Sequence, residues 1–406
     1  MSSSENGNTG KYITLAGERK GNRRIESIDI LRGAVMIIMA LDHVRNFLHA
    51  DALHYSPTDL SQTSPVLFFT RFVTHYCAPV FVLLAGMSAY LYGTRKSRKE
   101  LSVYLFSRGM WLIFVELFII VLGKTFNPTY PYFNLQVIWA IGVAMVFLSV
   151  LIYLPMRVIL VTGVVLIASH NLLDNLHFPN NFLWAILHET ADFHFGHITV
   201  FVQYPLIPWI GIMALGYCFG QIYMSDYGPE RRKSILLTCG IGSIILFVFL
   251  RSLDIYGDTA HWSLYENPVF SLLSFLNLTK YPPSLLYTLA MLGPAFIILA
   301  YTEKPLNGFT AKIAVFGRVP FFYYVVHIYL IHLIALIAAY VTGYNLLDMI
   351  LADRLNNIPA LKGFGFNLFA VYVVWVGLIL LLYPACKRFD QYKKSNQSHK
   401  WWLSYT

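Results

Sequence analysis

Apolar residues run along this chain in long, nearly unbroken blocks, each closed by a short cluster of charged or turn-forming residues. A block of about 20 apolar residues is the length of a helix that crosses the roughly 30 Å hydrocarbon layer of a bilayer. The blocks predict ten helices, near residues 28–48, 66–93, 101–123, 135–154, 157–170, 204–224, 235–253, 284–302, 313–341 and 366–386. Only Leu154, Pro155, Met156 and Arg157 separate the fourth block from the fifth, so that boundary is the least sharply marked. The polar stretch 1–24 and the basic stretch 387–406 read as cytoplasmic tails on one membrane domain, 25–386. The first block has no small-residue cleavage site, which predicts a retained helix rather than a signal peptide.

Composition agrees with the pattern. The 406 residues are 57% hydrophobic and 13% charged, and the mean hydropathy is +0.56. The expected fold class is an all-α polytopic membrane protein of about ten transmembrane helices, with no separate soluble domain. A formal charge of +9 suggests nucleic acid until the positions of the 30 Lys and Arg are considered. With the N-terminus inside, the cytoplasmic segments hold 20 of them and the opposite segments four. Short cytoplasmic loops retain positive charge, so both termini are expected in the cytoplasm and a nucleic-acid partner is not. Cys77, Cys218, Cys239 and Cys386 lie in or beside apolar runs without a CxxC pair and read as small buried hydrophobes. No internal repeat supports an inverted-repeat transporter. Four outer segments, 49–65, 124–134, 171–203 and 254–283, are rich in His, Asp, Asn, Tyr and Pro, as the lining of a vestibule would be.

Charged side chains at membrane depth are costly, about 3 kcal/mol on insertion scales, so each one faces a partner or a wet cavity. On the first helix Arg32, Met36, Met39, His43 and Asn46 share one face at 100° per residue, and Asp42, Arg45 and His49 share the neighbouring one. Arg71, His75, Glu116, His327 and His332, from three other helices, fall at a depth similar to His43. A neutral imidazole beside a carboxylate suits general-base chemistry, and Asp42 or Glu116 is the candidate carboxylate. At the inner end Asp29, Arg32, Arg108 and Arg318 gather where guanidinium groups would hold a phosphorylated ligand. Gly317, Arg318, Val319 and Pro320 should break the ninth helix early. The same residues can also be read as interhelical pairs and ordinary flanking charges.

Two outer segments carry further candidates. Lys280, Tyr281, Pro282, Pro283 and Ser284 precede the eighth helix, where a lysine also serves as an interfacial anchor. His188, Glu189, Asp192, His194 and His197 crowd ten residues, but their spacing fits no zinc pattern; a wet polar loop and no metal are expected.

The stretch Ser27 to Gly33 (SIDILRG), followed by an apolar run to Asp42 and His43, resembles the opening helix of transmembrane acyltransferases. Those proteins carry an Asp-x-x-Arg-Gly start and a histidine eleven residues beyond the arginine, the spacing of Arg32 and His43. Within that superfamily the chain is most similar to bacterial proteins grouped with the catalytic domain of heparan-alpha-glucosaminide N-acetyltransferase. Arg71 to Gly86, Tyr204 to Gly220, Lys280 to Ser284 and Gly317 to His332 carry the likeness across residues 24–386. The resemblance implies an enzyme of the bacterial inner membrane. It would pass an acetyl or other acyl group from cytoplasmic acyl-CoA to a sugar amine or hydroxyl at the outer face. It implies Arg32 near the donor, and Asp29, Arg108 and Arg318 join it as candidates by their place at the inner mouth. It implies His43 in catalysis; Asp42, His49, His75, Glu116 and His327 are the other catalytic candidates, read from their positions in the helices. Arg71, Lys280, Tyr281, Ser284 and His332 are the candidate acceptor contacts. The animal enzyme has Asn at the His43 position and its catalytic histidine further outward, which keeps His49 as an alternative base. Two other readings compete: a proton-coupled transporter relaying through Asp42, Glu116 and His75, and a haem b carrier using two of His43, His75, His327 and His332.

Overall fold

The computed structural model describes residues 25–396, 400 and 403. The expected tail over residues 1–24 lies outside them. Helix α1 is Glu26–Leu48. The second apolar block forms α2 (Pro65–His75) and α3 (Cys77–Gly93), interrupted at Tyr76. The third begins as α4 (Arg98–Phe114), whose N-terminus is closed by reciprocal bonds between Ser97 and Glu100. It widens to a π-helical turn over Val115–Ile120 and ends as α5 (Val121–Thr125). Helices α6 (Val137–Leu151) and α7 (Met156–Ser169) follow, separated at Pro155 as the sequence indicates. Short α8 (Phe182–Leu187) precedes α9 (Leu206–Gly220), α10 (Pro229–Leu253), α11 (Pro268–Leu276) and α12 (Leu285–Tyr301). The ninth block divides into α13 (Gly308–Arg318) and α14 (Pro320–Val341) at Val319, the predicted break. Helix α15 runs over Leu368–Asn396, ten residues past the expected boundary at 386; Asp390 and Lys394, one turn apart, pair on that extension.

Among the described residues, seven helices are long and apolar enough to cross a membrane, which makes this an integral membrane protein. Helices α6 and α12, with 15 and 17 residues, are shorter. Helix α1 has 23 residues but carries Glu26, Asp29, Arg32, Asp42 and Arg45.

The expectation of a purely helical chain needs one correction. Tyr132–Leu135 (β1), Ala191–Phe195 (β2) and Ile198–Val202 (β3) form a small sheet in the order β1-β3-β2. Gly196, at φ 62°, turns the β2–β3 hairpin, and β1 pairs with β3 in parallel. Strands of four and five residues are too short to show a clear alternation between the apolar blocks, and the parallel pairing is long-range.

Helix packing is set by glycine. The pairs Gly33–Gly317, Gly86–Gly216, Gly109–Gly142, Gly163–Gly211 and Gly240–Gly293 place backbone against backbone where α1 meets α13, α3 meets α9, α4 meets α6, α7 meets α9 and α10 meets α12. In lipid, where tails are as apolar as leucine, such close approach supplies the dispersion contact that hydrophobic burial supplies in water. The α1–α13 crossing is the tightest: a Cβ on Gly33 would sit 2.0 Å from the Ile313 carbonyl oxygen, and one on Gly317 would sit 1.9 Å from that of Asp29. All four cysteines are free, Cys77 and Cys386 buried and the other two half-buried.

Gly33→Ala should therefore destabilise the protein by about 1–3 kcal/mol or more by forcing α1 from α13. At Gly242 on α10 a Cβ meets nothing within 4 Å, so Gly242→Ala should leave stability unchanged or slightly raised. Thermal unfolding in detergent compares the two, and equal midpoints would sink the close-approach argument.

Candidate active site

Three adjoining cavities follow one face of α1. The first, of about 260 Å³, is lined by Arg32 and Met36 of that face; the second, of about 70 Å³, by Met39 and His43; the third, of about 620 Å³, by His43 and Asn46. Phe81, Val137 and Tyr324 belong to both the first and the second, while His43, Gln136 and Gln203 belong to both the second and the third. The helical face inferred from 3.6-residue periodicity is thus one wall of three adjoining chambers, and His43 stands at the boundary of the last two.

Cations surround the first cavity. Arg32, Arg108, Arg318 and Lys393 line it, on a wall otherwise largely apolar. The glycine crossing explains two of them: with α1 against α13, Arg32 donates to the Gly317 carbonyl (3.3 Å) and to Ser88 Oγ (2.9 Å). Asp29 lies 3.5 Å from Arg32 and 3.7 Å from Arg318, which also approaches Asp390 at 3.5 Å. Lys393 reaches this wall because α15 continues beyond the apolar block, which is why a reading of that segment as a tail missed it.

At the boundary of the second and third cavities Asp42 is fully engaged. Its Oδ2 accepts from Arg71 (2.6 Å), and its Oδ1 accepts from Arg45 (2.9 Å) and Thr74 Oγ1 (3.1 Å), fastening α2 to α1. His43 has different neighbours. Its ring meets the edge of His327 at a centroid distance of 5.1 Å and lies 6.3 Å from the Tyr324 ring. His327 Nδ1 is 2.9 Å from the Tyr323 carbonyl, so that nitrogen donates, and its buried Nε2 has no partner.

The model described as "Heparan-alpha-glucosaminide N-acetyltransferase, catalytic" matches residues 24–257, more than half of the chain. The chain belongs to this family. It is accordingly a membrane acetyltransferase-type enzyme, the first of the three readings that the sequence offers. No curated protein matches the chain. The family match covers α1 to α10, including Arg32, His43, Arg71 and Arg108, and ends before Lys280, Arg318 and His327.

Within this family member the remaining sequence candidates divide. Arg71 lines the third cavity, and Lys280 and Tyr281 line the second, the Lys280 ammonium 5.2 Å from the Tyr281 ring centre. Ser284 is instead the N-cap of α12, accepting from Tyr287 N and donating to Asp258 (2.6 Å). His332 has Nδ1 3.0 Å from the Gly123 carbonyl and Nε2 2.9 Å from that of Met349, and stacks on Phe126, so it ties helices rather than facing a cavity. His75 is buried against Tyr287, whose hydroxyl donates to the His75 carbonyl (2.7 Å). Glu116, in the π-helical turn, accepts from Ile138 N (3.1 Å) and so fixes the start of α6; it makes no bond to His43. His49 caps α1 beside Asp51, outside the walls of the three cavities. Sequence reasoning also missed Lys124, Gln136, Gln203 and Tyr324, which acquire their place only from neighbouring helices and the sheet.

The crowded loop disperses. Glu189 pairs with His177, Asp192 with Arg354 and His194 with Thr199, while His188 turns inward to Asp174.

Proposed function

We propose that this protein transfers an acetyl or other acyl group from acyl-CoA, held in the cavity lined by Arg32, to a sugar amine or hydroxyl in the large cavity beyond His43. The succession of three adjoining cavities along α1, with His43 in the wall of two of them, carries this reading. Guanidinium groups suit phosphates, so Arg32, Arg108 and Arg318, with Lys393, take the nucleotide end of the donor, and Asp29 holds two of them in place. The apolar remainder of that cavity suits the pantetheine arm. Eleven residues along α1 separate Arg32 from His43, about 16 Å at 1.5 Å per residue, the path the arm follows to the thioester.

His43 then acts as general base. It takes the proton from the acceptor N–H or O–H as that atom attacks the thioester carbonyl; the tetrahedral intermediate collapses, the C–S bond breaks and the leaving thiolate receives the proton. His327 positions the imidazole through its free Nε2, and Asp42 positions it by locking α1 to α2. Arg71 contacts the acceptor in the large cavity, and Lys280 and Tyr281 meet its reacting end in the small chamber beside His43. In this arrangement the seven clear spans are joined by α1, α6 and α12 to give ten crossings. Both termini are cytoplasmic, the Arg32 cavity opens inward and the sheet faces outward, in the inner membrane of a bacterium. The 20-to-four distribution of Lys and Arg supports that orientation.

Three outcomes test the proposal. For orientation, Thr190→Cys in intact cells should react with a membrane-impermeant maleimide and Arg231→Cys only after lysis; the reverse pattern would invert the assignment. For the donor, Arg32→Ala should weaken acetyl-CoA binding in calorimetry while the unfolding midpoint changes little, and unchanged affinity would remove Arg32 from the site. For chemistry, His43→Asn should remain folded and bind donor yet lose roughly 10² to 10⁴ in turnover. If His43→Asn keeps full turnover while His49→Ala abolishes it, the base is His49.

A further inference from the structure

A second cluster of chemistry-bearing side chains lies away from the three cavities. His170 ends α7, Asp174 follows one turn later, and His188 closes α8. One ligand atom from each of the three falls within 4.8 Å of the other two. His170 is 1% exposed and His188 3%. His188 Nε2 lies 3.1 Å from Asp174 Oδ1, while its Nδ1 has no partner. His170 has one hydrogen-bonding neighbour, the Pro283 carbonyl, which leaves its other ring nitrogen unsatisfied. A buried imidazole nitrogen left unsatisfied costs about 1–3 kcal/mol, and His170 and His188 each carry one, so the pair asks for an unseen occupant.

The surroundings are already built to orient a ligand set. Asn171 Nδ2 donates to Asp174 Oδ2 (2.8 Å), and Asn171 Oδ1 accepts from Leu285 N (3.0 Å), so the carboxylate is anchored to the start of α12. Carboxylates and imidazoles that bind metals are commonly fixed through outer hydrogen bonds of this kind. Two imidazoles and one carboxylate at a buried site favour a transition-metal dication over calcium or magnesium.

We propose that His170, Asp174 and His188 bind a divalent transition-metal ion, zinc by this ligand set, with a fourth position left for water. Tetrahedral zinc with bonds near 2.1 Å needs its ligand atoms to close to about 3.4 Å, a small side-chain rotation from the present spacing. The ion ties the end of α7 to α8, next to the segment that carries Pro283 and Ser284 into α12. Its role is structural and does not depend on the acyl-transfer reading.

The test uses the full-length protein in detergent, stripped with chelator and titrated with ZnCl2 and separately with CoCl2. Wild type should bind one equivalent of zinc, show the d–d absorption of tetrahedral cobalt and gain thermal stability with zinc. Both His170→Ala and His188→Gln should lose the stoichiometric site and the spectrum. Asn171→Ala should weaken binding roughly 10-fold to 100-fold. His177→Ala, at an exposed histidine paired with Glu189, should change nothing. Should His170→Ala fail to fold, His188→Gln, which keeps a hydrogen-bonding group beside Asp174, decides the question. No zinc binding by wild type, or binding that survives His188→Gln, overturns the proposal.

Discussion

The contact between Gly33 and Gly317 is the constraint on which the site depends. Helices in lipid gain little from burying apolar surface against one another, so association rests on how closely their backbones approach. Here α1 and α13 touch directly, and each glycine is the immediate neighbour of a site arginine, Arg32 before Gly33 and Arg318 after Gly317. The crossing that permits the approach therefore also brings both guanidinium groups to Asp29 and around one cavity. Four other glycine pairs repeat the device across the bundle, leaving the larger side chains to shape the chambers.

Charge inside the bundle is handled by local pairing rather than exclusion. Asp42 sits between Arg45 and Arg71, a bonded cluster with one net positive charge, and its loss would leave a buried and a half-buried guanidinium without this counter-ion. With Asp42 committed to holding α1 against α2, His43 meets the His327 and Tyr324 rings edge-on and lines both adjoining cavities. Irregular helix geometry falls at the same levels. The interruption at Tyr76 precedes Cys77, the π-helical turn is followed by Val121, and the break at Val319 lies between Arg318 and Pro320; these four residues line a cavity. Departures from the regular α-helix are tolerated at membrane depth where they face protein or an internal chamber.

The sheet end of the molecule follows a different logic. Strand β3 contributes Phe201 to the large cavity, β1 contributes Tyr132 and Asn134, and Arg354 stacks on Phe201 while pairing with Asp192 of β2. Three distant polar segments thus make one wall, and the histidine–aspartate cluster fastens the end of α7 to one of them.

Helix positions, the amphipathic face of α1 and the gathering of arginines at one end were legible in the sequence because each follows from local rules. Apolar block length gives spans, 100° per residue gives faces, and Asp29, Arg32 and His43 lie on a single helix. What the sequence could not decide depends on contacts between residues far apart in the chain. Lys393 joins the cavity lined by Arg32 only because α15 extends beyond the apolar block, and Ser284 and His332 turn out to be a cap and a tie because their partners lie on other segments. His188 separates from its sequence neighbours to meet His170 and Asp174. Spacing along one helix is fixed by backbone geometry, whereas the meeting of separate elements is fixed by how closely their surfaces pack, and that is a property of the assembled bundle alone.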